Sequence, residues 1–368
     1  MAKKVYIGAD DVARKVKKGY IGADGVARKI KKAYIGIGGV ARPCWSDGKL
    51  VYYGKAIGLS LARFSLAATN VGDYALFGGG RTDSKFSAVV DAYSKSLSRS
   101  TPASLSAARC YFTATNVGDY ALFGGGYGGS EISAVDAYNR SLTRTTATAL
   151  SVARDSLAST TVGDYALFGG GCSSKDHSTV DAYNISLTRT TPTELSMARQ
   201  LLAATTIGDY ALFGGGSADA SSVVDAYNAS LTRSKPTGLS VARNEIGATY
   251  VGDYALFAGG FSANYSRLST VDAYNKSLTR TTPTALSAER GRVAAVTVGN
   301  YALFGGGADG SIGISVVDAY DTSLTRTTPT SLSVGRYWFT AANVGDYALF
   351  GGGYGSSNYS TVDAYTVI

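Results

Sequence analysis

The chain has 368 residues, 45% hydrophobic and 17% charged, which excludes a disordered polymer and describes a globular body. The formal net charge is +8, but residues 1–42 hold eleven Lys/Arg against three Asp, so the whole excess sits there and the rest of the chain is net neutral. Three cysteines, odd in number and far apart, fit neither a disulfide framework nor paired metal ligands, and a single histidine leaves no His/Cys cluster, so no metal and no cofactor are expected.

The opening "MAKKVYIGADD" is charged and leads into no apolar core, so it does not read as a secretory signal, and synthesis in a reducing cytoplasm is expected. No stretch approaches the ~18 apolar residues of a membrane span. Tyr6, Tyr20 and Tyr34 recur every 14 residues, as do Arg14, Arg28 and Arg42. Such a unit makes at most two short strands and cannot bury a core alone. Residues 1–46 are therefore expected to form a basic attachment arm, with Tyr6, Arg14, Lys17, Lys18, Tyr20, Arg28, Lys31, Lys32, Tyr34 and Arg42 as its contact residues. Lysine pairs with interleaved tyrosines also suit nucleic acid. Here the charges follow a strand-turn period and the body has no matching patch, so a solvated strand face or an attachment surface for an acidic partner is favoured.

Beyond the arm, "VGDYALFGGG" begins at Val71 and returns with few changes at Val117, Val162, Ile207, Val251, Val298 and Val344. Two phrases travel with it: one ends at Arg63, Arg109, Arg154, Arg199, Arg243, Arg290 and Arg336, and "VDAY" ends at Tyr93, Tyr138, Tyr183, Tyr227, Tyr274, Tyr320 and Tyr365. Each unit reads as four strands. A mixed run after the arginine is the inner strand, and "YALF", apolar throughout, is a second strand buried on both faces. The glycine triplet ends it, "STVDAY" is the third strand and "SLTRTTPT" the outer one. Four antiparallel strands repeated seven times give a seven-bladed β-propeller. Asn139, Asn184, Asn228 and Asn275 open Asn-x-Ser triplets at the turn before the outer strand, where Asn caps the turn locally. The seventh unit stops after Tyr365. Residues 49–55 are expected to supply its missing outer strand, closing the ring within a domain spanning 47–368 and hiding two sheet edges.

The order arginine, inner strand, apolar strand with Gly-Gly, and strand ending in tyrosine resembles the Kelch repeat, and does so seven times. The resemblance implies a Kelch-like all-β ring. This chain departs from it by placing Leu97, Leu142, Leu187, Leu231, Leu278 and Leu324 where the family carries an outer-strand tryptophan. The 14-residue repeats of the arm resemble short repeats in tail and other structural proteins of phages of Gram-positive bacteria. That implies a virion location, docking on virion structural proteins through the arm, and a homo-oligomer in the assembly.

No Gly-x-Ser-x-Gly elbow or phosphate loop is present, and the lone His177 lies in a variable loop, so no catalytic residue is assigned and the chain is read as no enzyme. Arginine and the aspartate of "VDAY" occur in every unit, which is the mark of a structural pair. Two zones differ between units: the two residues after each arginine, and the loop after each glycine triplet. In an up-down blade both emerge on one face, at the mouth of the central channel. Aromatic residues there, Phe64, Tyr111, Tyr127, Phe261, Tyr265, Tyr337, Trp338, Tyr354 and Tyr359, are the expected ligand-binding rim, suited to a host cell-surface glycan or protein. The function expected is that of a phage adhesin. The alternatives are a structural or decoration protein with no foreign ligand and, less favoured, a polysaccharide-active enzyme.

Overall fold

The computed structural model describes residues 48–368, apart from Ala218 and Ser311, and the backbone of six short strands between Tyr6 and Trp45. Every regular element among the described residues is a β-strand, and no helix is long and apolar enough to cross a membrane. The six strands form three antiparallel hairpins, Tyr6–Ala9 with Val12–Lys15, Tyr20–Ala23 with Val26–Lys29, and Ala33–Ile37 with Val40–Trp45. Tyr6, Arg14, Tyr20, Arg28, Tyr34 and Arg42 fall on these strands. Lys17, Lys18, Lys31 and Lys32 lie outside the described residues.

The seven longer repeats fold into seven four-stranded antiparallel sheets arranged as a β-propeller. In blade three the order is Ala158–Val162, Tyr165–Gly169, Val180–Asn184 and Arg189–Thr190. The second strand is apolar throughout because both its faces are covered, and Ala166, Leu167 and Phe168 are wholly buried. Phe168 meets the edge of Tyr183 in its own sheet, with ring centroids 5.7 Å apart. It also presses on Gly124 of blade two, where an added Cβ would lie 2.7 Å from Phe168 Cε1. Glycine at that strand end is thus the socket for the neighbour's phenyl ring. The buried apolar clusters fall between adjacent blades, as when Val117, Leu122 and Val135 of blade two pack on Ala166, Phe168 and Tyr183 of blade three. Burying one such phenylalanine contributes about 1.5–3 kcal/mol, so blade stacking, more than the pairing within a blade, holds the ring.

The glycines that follow turn the chain sharply. Gly170 and Gly171 have φ of 70° and 99°, and a Cβ at Gly170 would lie 2.6 Å from the Arg199 carbonyl oxygen.

Blade seven takes its first three strands from Thr340–Val344, Tyr347–Gly351 and Val362–Val367, and its outer strand from Leu50–Ala56. Lys49 and Ile368 exchange both backbone hydrogen bonds, at 2.9 Å each. Elsewhere the outer strand is far shorter than "SLTRTTPT" suggested: in blades one and three to six it is two residues. Proline is the reason. Pro102, Pro192, Pro236, Pro283 and Pro329 stand three residues after the outer-strand arginine and have no N–H for the ladder. Blade two has Ala147 there, and its outer strand runs on to Arg144–Ala147, with Ala147 opposite Val135. The six leucines in the tryptophan position lie in the preceding turn, off the strand, with φ of 59–61°. Leu97 nonetheless packs into the cluster between blades seven and one.

Candidate functional site

The two variable zones are held in place by the invariant arginines. The Arg154 N–H and C=O bond to Ile132 O (3.4 Å) and Gly126 N (2.9 Å) of blade two. Its guanidinium enters blade three, donating to Gly170 O (2.8 Å), Phe168 O (3.2 Å) and Asp181 (2.8 Å). One residue therefore stitches two blades, by main chain on one side and side chain on the other. All seven Arg–Asp pairs close at 2.7–2.9 Å with both side chains fully buried. Burial pulls the Arg63 guanidinium below its ordinary value while Asp91 opposes the shift. The "VDAY" tyrosine adds a second stitch, as when Tyr183 Oη donates to Thr148 O at 2.7 Å. In blade seven the Tyr52 hydroxyl donates to Asp363 at 2.7 Å, where other blades use an outer-strand arginine. The Asn triplets cap their turns: Asn139 Oδ1 accepts from Ser141 N and Thr143 N at 3.0 Å each.

The first residue after each arginine is tied to the residue after the glycine triplet, so the two variable zones touch. Cys110 and Tyr127 exchange bonds of 3.0 and 2.8 Å, as do Asp155 with Cys172 and Tyr337 with Tyr354 at similar lengths. The second residue behaves differently. Ser65, Tyr111, Ser156, Leu201, Glu245, Arg292 and Trp338 all have φ between 48° and 56°. Each such left-handed residue costs on the order of 1–3 kcal/mol and persists only when its surroundings impose it. Those surroundings are an arc of main-chain bonds. Tyr111 N donates to Ser65 O (3.3 Å), Ser156 N to Tyr111 O (2.8 Å), Leu201 N to Ser156 O (2.9 Å), Glu245 N to Leu201 O (3.0 Å), Arg292 N to Glu245 O (2.9 Å) and Ser65 N to Trp338 O (2.7 Å). These six bonds run as an arc from blade seven through blade one to blade six round the channel mouth without using any side chain, and between blades six and seven the Arg292 guanidinium lies over the Trp338 ring.

Inside this arc lies a funnel of about 620 Å³. Its wall is made by the second residues of blades two to seven, and its floor by the apolar residues that follow them, Phe112, Leu157, Leu202, Ile246, Val293 and Phe339. Tyr127 and Asp155 complete the lining. Blade one contributes nothing to it: Ser65 and Leu66 are buried where Trp338 stacks on Phe64, with centroids 5.6 Å apart and planes at 19°. Below the floor a narrower space of about 260 Å³ continues between the inner strands.

The nine expected rim aromatics separate into groups. Tyr111, Tyr127 and Trp338 line the funnel. Phe64, Phe261 and Tyr337 are only 6–8% exposed and present no open face. Phe64 and Tyr337 occupy the first position after an arginine and Phe261 the position after a glycine triplet, so the bridges fold them in behind the wall. Tyr354 packs between Phe64 (5.3 Å) and Tyr337 (5.8 Å). Tyr359 is half-buried with its hydroxyl 3.1 Å from Ser356 Oγ, and Tyr265 is 73% exposed on an outer loop, outside the funnel lining.

Choosing aromatics passed over the charged wall. Arg292 Nε and Nη2 reach Glu245 at 2.5 and 3.4 Å, and its guanidinium lies over Trp338 at 4.5 Å, with Phe261 at 5.5 Å and Tyr337 at 5.7 Å. Both residues occupy the variable position, so place in the repeat identifies them where residue type does not. Among the lining residues two carboxylates, Asp155 and Glu245, thus face one guanidinium that is already paired. Burial pushes the Cys110 and Cys172 thiols up to about 12. His177 is lowered by burial and then by the Arg154 charge, and its Nε2 lies 2.8 Å from Ser173 Oγ. Among the described residues no group of three His, Cys, Asp or Glu side chains could hold a metal ion. The arrangement can recognise through side chains projecting from an arc of main-chain bonds. No protein-family model matches the chain, and no curated protein matches it.

Proposed function

We propose that the chain is a non-enzymatic recognition protein, a Kelch-type ring carried on a phage virion by its basic N-terminal arm, and that the funnel face binds a receptor on the host cell surface, glycan or protein. The observation that carries this reading is the contrast within each repeat at the funnel. Arginine is fixed, the third residue is always apolar, and the residue between them runs through Ser, Tyr, Ser, Leu, Glu, Arg and Trp. Packing does not dictate that residue, because the arc that holds it is made of main chain alone. A scaffold repeated seven times that lets one side chain per blade vary, six of them lining one funnel, suits ligand recognition. Many copies on one particle would multiply a weak single-site affinity.

The test is binding of the fluorescent full-length protein to whole Gram-positive cells, beside a Leu201→Arg variant. Arginine already occupies this backbone setting at Arg292, so the variant folds and blocks the wall. Strain-dependent binding lost in the variant is the expected result. Binding to no strain, or binding unchanged by the variant, overturns the reading and favours a decoration protein.

A further inference from the structure

We infer that the funnel takes the terminal residue of a neutral glycan end-on, with Tyr111 as the stacking wall and Glu245, aligned by Arg292, as acceptor for the sugar hydroxyls. The inference rests on the funnel being the recognition site and goes on to name its ligand class.

Three observations select this ligand. The first is the state of the main chain. Six N–H and six C=O groups round the mouth are consumed in the blade-to-blade arc, so an extended peptide finds no continuous edge on which to add a strand. Recognition falls to side chains. The second is charge. Among the described residues Arg292 is the one cation lining the funnel, and it is spent on Glu245 and the Trp338 face, while Asp155 adds a second carboxylate. A carboxylate, sulfate or phosphate on the ligand would enter a lining of net negative charge with no unpaired donor cation. Acidic glycans are thereby disfavoured.

The third is the distribution of aromatic surface. Trp338 is already engaged by stacking on Phe64 and by the Arg292 guanidinium over its ring, which leaves less of it for a ligand. Tyr111, three blades away from Glu245 across the mouth, makes no ring contact with another described aromatic side chain, and its face is available to the apolar face of a pyranose ring. Glu245 is held by Arg292 in one orientation before any ligand arrives, which lowers the ordering cost of hydroxyl hydrogen bonds. The apolar floor then stops the inserted residue, so the chain of the glycan leads outward.

The experiment uses full-length protein on immobilised neutral hexose and N-acetylhexosamine oligosaccharides and on matched uronic-acid and phosphorylated oligosaccharides. Neutral ligands are expected to bind at least about tenfold more tightly than acidic ones. Tyr111→Ala should weaken neutral binding roughly tenfold, and Tyr265→Ala, outside the funnel, should leave it unchanged. Glu245→Gln should do more than weaken binding: it releases the Arg292 charge, so the preference should swing toward the acidic ligands. A merely structural glutamate would lower both classes alike. Equal or better binding of acidic ligands by the unmodified protein overturns the inference. So does cell binding that Leu201→Arg abolishes when no neutral oligosaccharide binds; that result leaves the recognition reading standing and points to a protein or acidic receptor. Cell binding indifferent to Leu201→Arg removes both.

Discussion

Gly247 and Ala258 sit opposite each other on the first two strands of blade five, in the reverse of the arrangement found in blades one, three, four and six. There the inner strand supplies alanine and the second strand glycine, as in Ala158 opposite Gly169. The glycine normally makes room for the next blade's phenylalanine; a Cβ on Gly169 would lie 2.8 Å from Phe213 Cε1. In blade five the Cβ has moved across the ladder, and Gly247 has given up its own, leaving Phe304 room to shift. Gly169→Ala alone should therefore destabilise by about 1–3 kcal/mol through overpacking. Adding Ala158→Gly should recover part of that loss, although glycine within a strand has its own entropic cost. Urea unfolding of the two single variants and the double variant measures the coupling, and strict additivity would refute the exchange.

Much of this fold was legible because its determinants are local and written seven times. The period, the four-strand unit and the buried "YALF" strand follow from patterning alone. The length of the outer strand was equally available: a proline three residues past the arginine ends the ladder, and Ala147, where the proline is missing, lets it continue. The site was legible as a zone and misread as residues. Phe64 and Tyr337 are buried where the sequence alone points to exposed faces, because composition cannot distinguish the first residue after the arginine from the second. Only the hydrogen-bond pattern shows that the first is bridged to its neighbouring loop and the second turned into the funnel. The left-handed backbone of Trp338 or Leu201 has no sequence signature, since no glycine marks it.

The buried ion pairs lead to an asymmetric prediction. Asp225, fully buried, receives the fully buried Arg199 at 2.9 Å, the partly exposed Arg233 at 3.0 Å and the Ser196 N–H at 3.1 Å. Asp225→Ala strands a buried guanidinium and should cost about 3–5 kcal/mol. Replacing both partners, Arg199→Met with Asp225→Leu, should cost less than the single change, because no charge is left unpaired. Chemical denaturation of both variants decides it; a double variant weaker than Asp225→Ala would mean the pair is net stabilising in itself.

The funnel wall can be tested for backbone control. Neither the six wall residues nor Ser65, their counterpart in blade one, is β-branched, in keeping with the steric penalty that Val, Ile and Thr meet at positive φ. Leu201→Val removes little apolar surface yet should destabilise by about 1–3 kcal/mol. Leu201→Gln, unbranched at Cβ, should stay within roughly 1 kcal/mol of the original. Equal thermal stabilities for the two variants would show that the arc of main-chain bonds does not dictate this conformation.

The buried tyrosines set the alkaline limit of the fold. Tyr93, Tyr138, Tyr183, Tyr227, Tyr274, Tyr320 and Tyr365 are all raised above the ordinary value of 10.0, first by burial and then by the aspartate two residues before each. Tyr52 is pushed up to about 12 by burial and by its hydrogen bond to Asp363. Each group is protonated in both states below pH 10, so its contribution is complete there. As the pH rises past 10 the unfolded chain loses these protons while the folded ring keeps them, and stability falls with every added unit. Phenolate absorbance should therefore rise in two stages, exposed tyrosines first and the blade tyrosines together with loss of β-structure. Tyr52→Phe should weaken the protein at neutral pH by about 1–3 kcal/mol, through a lost bond to a buried carboxylate, and should make the decline above pH 10 shallower. If the blade tyrosines ionise while the circular dichroism of the sheets is unchanged, the burial that separates their two protonation states is not what holds the ring at high pH.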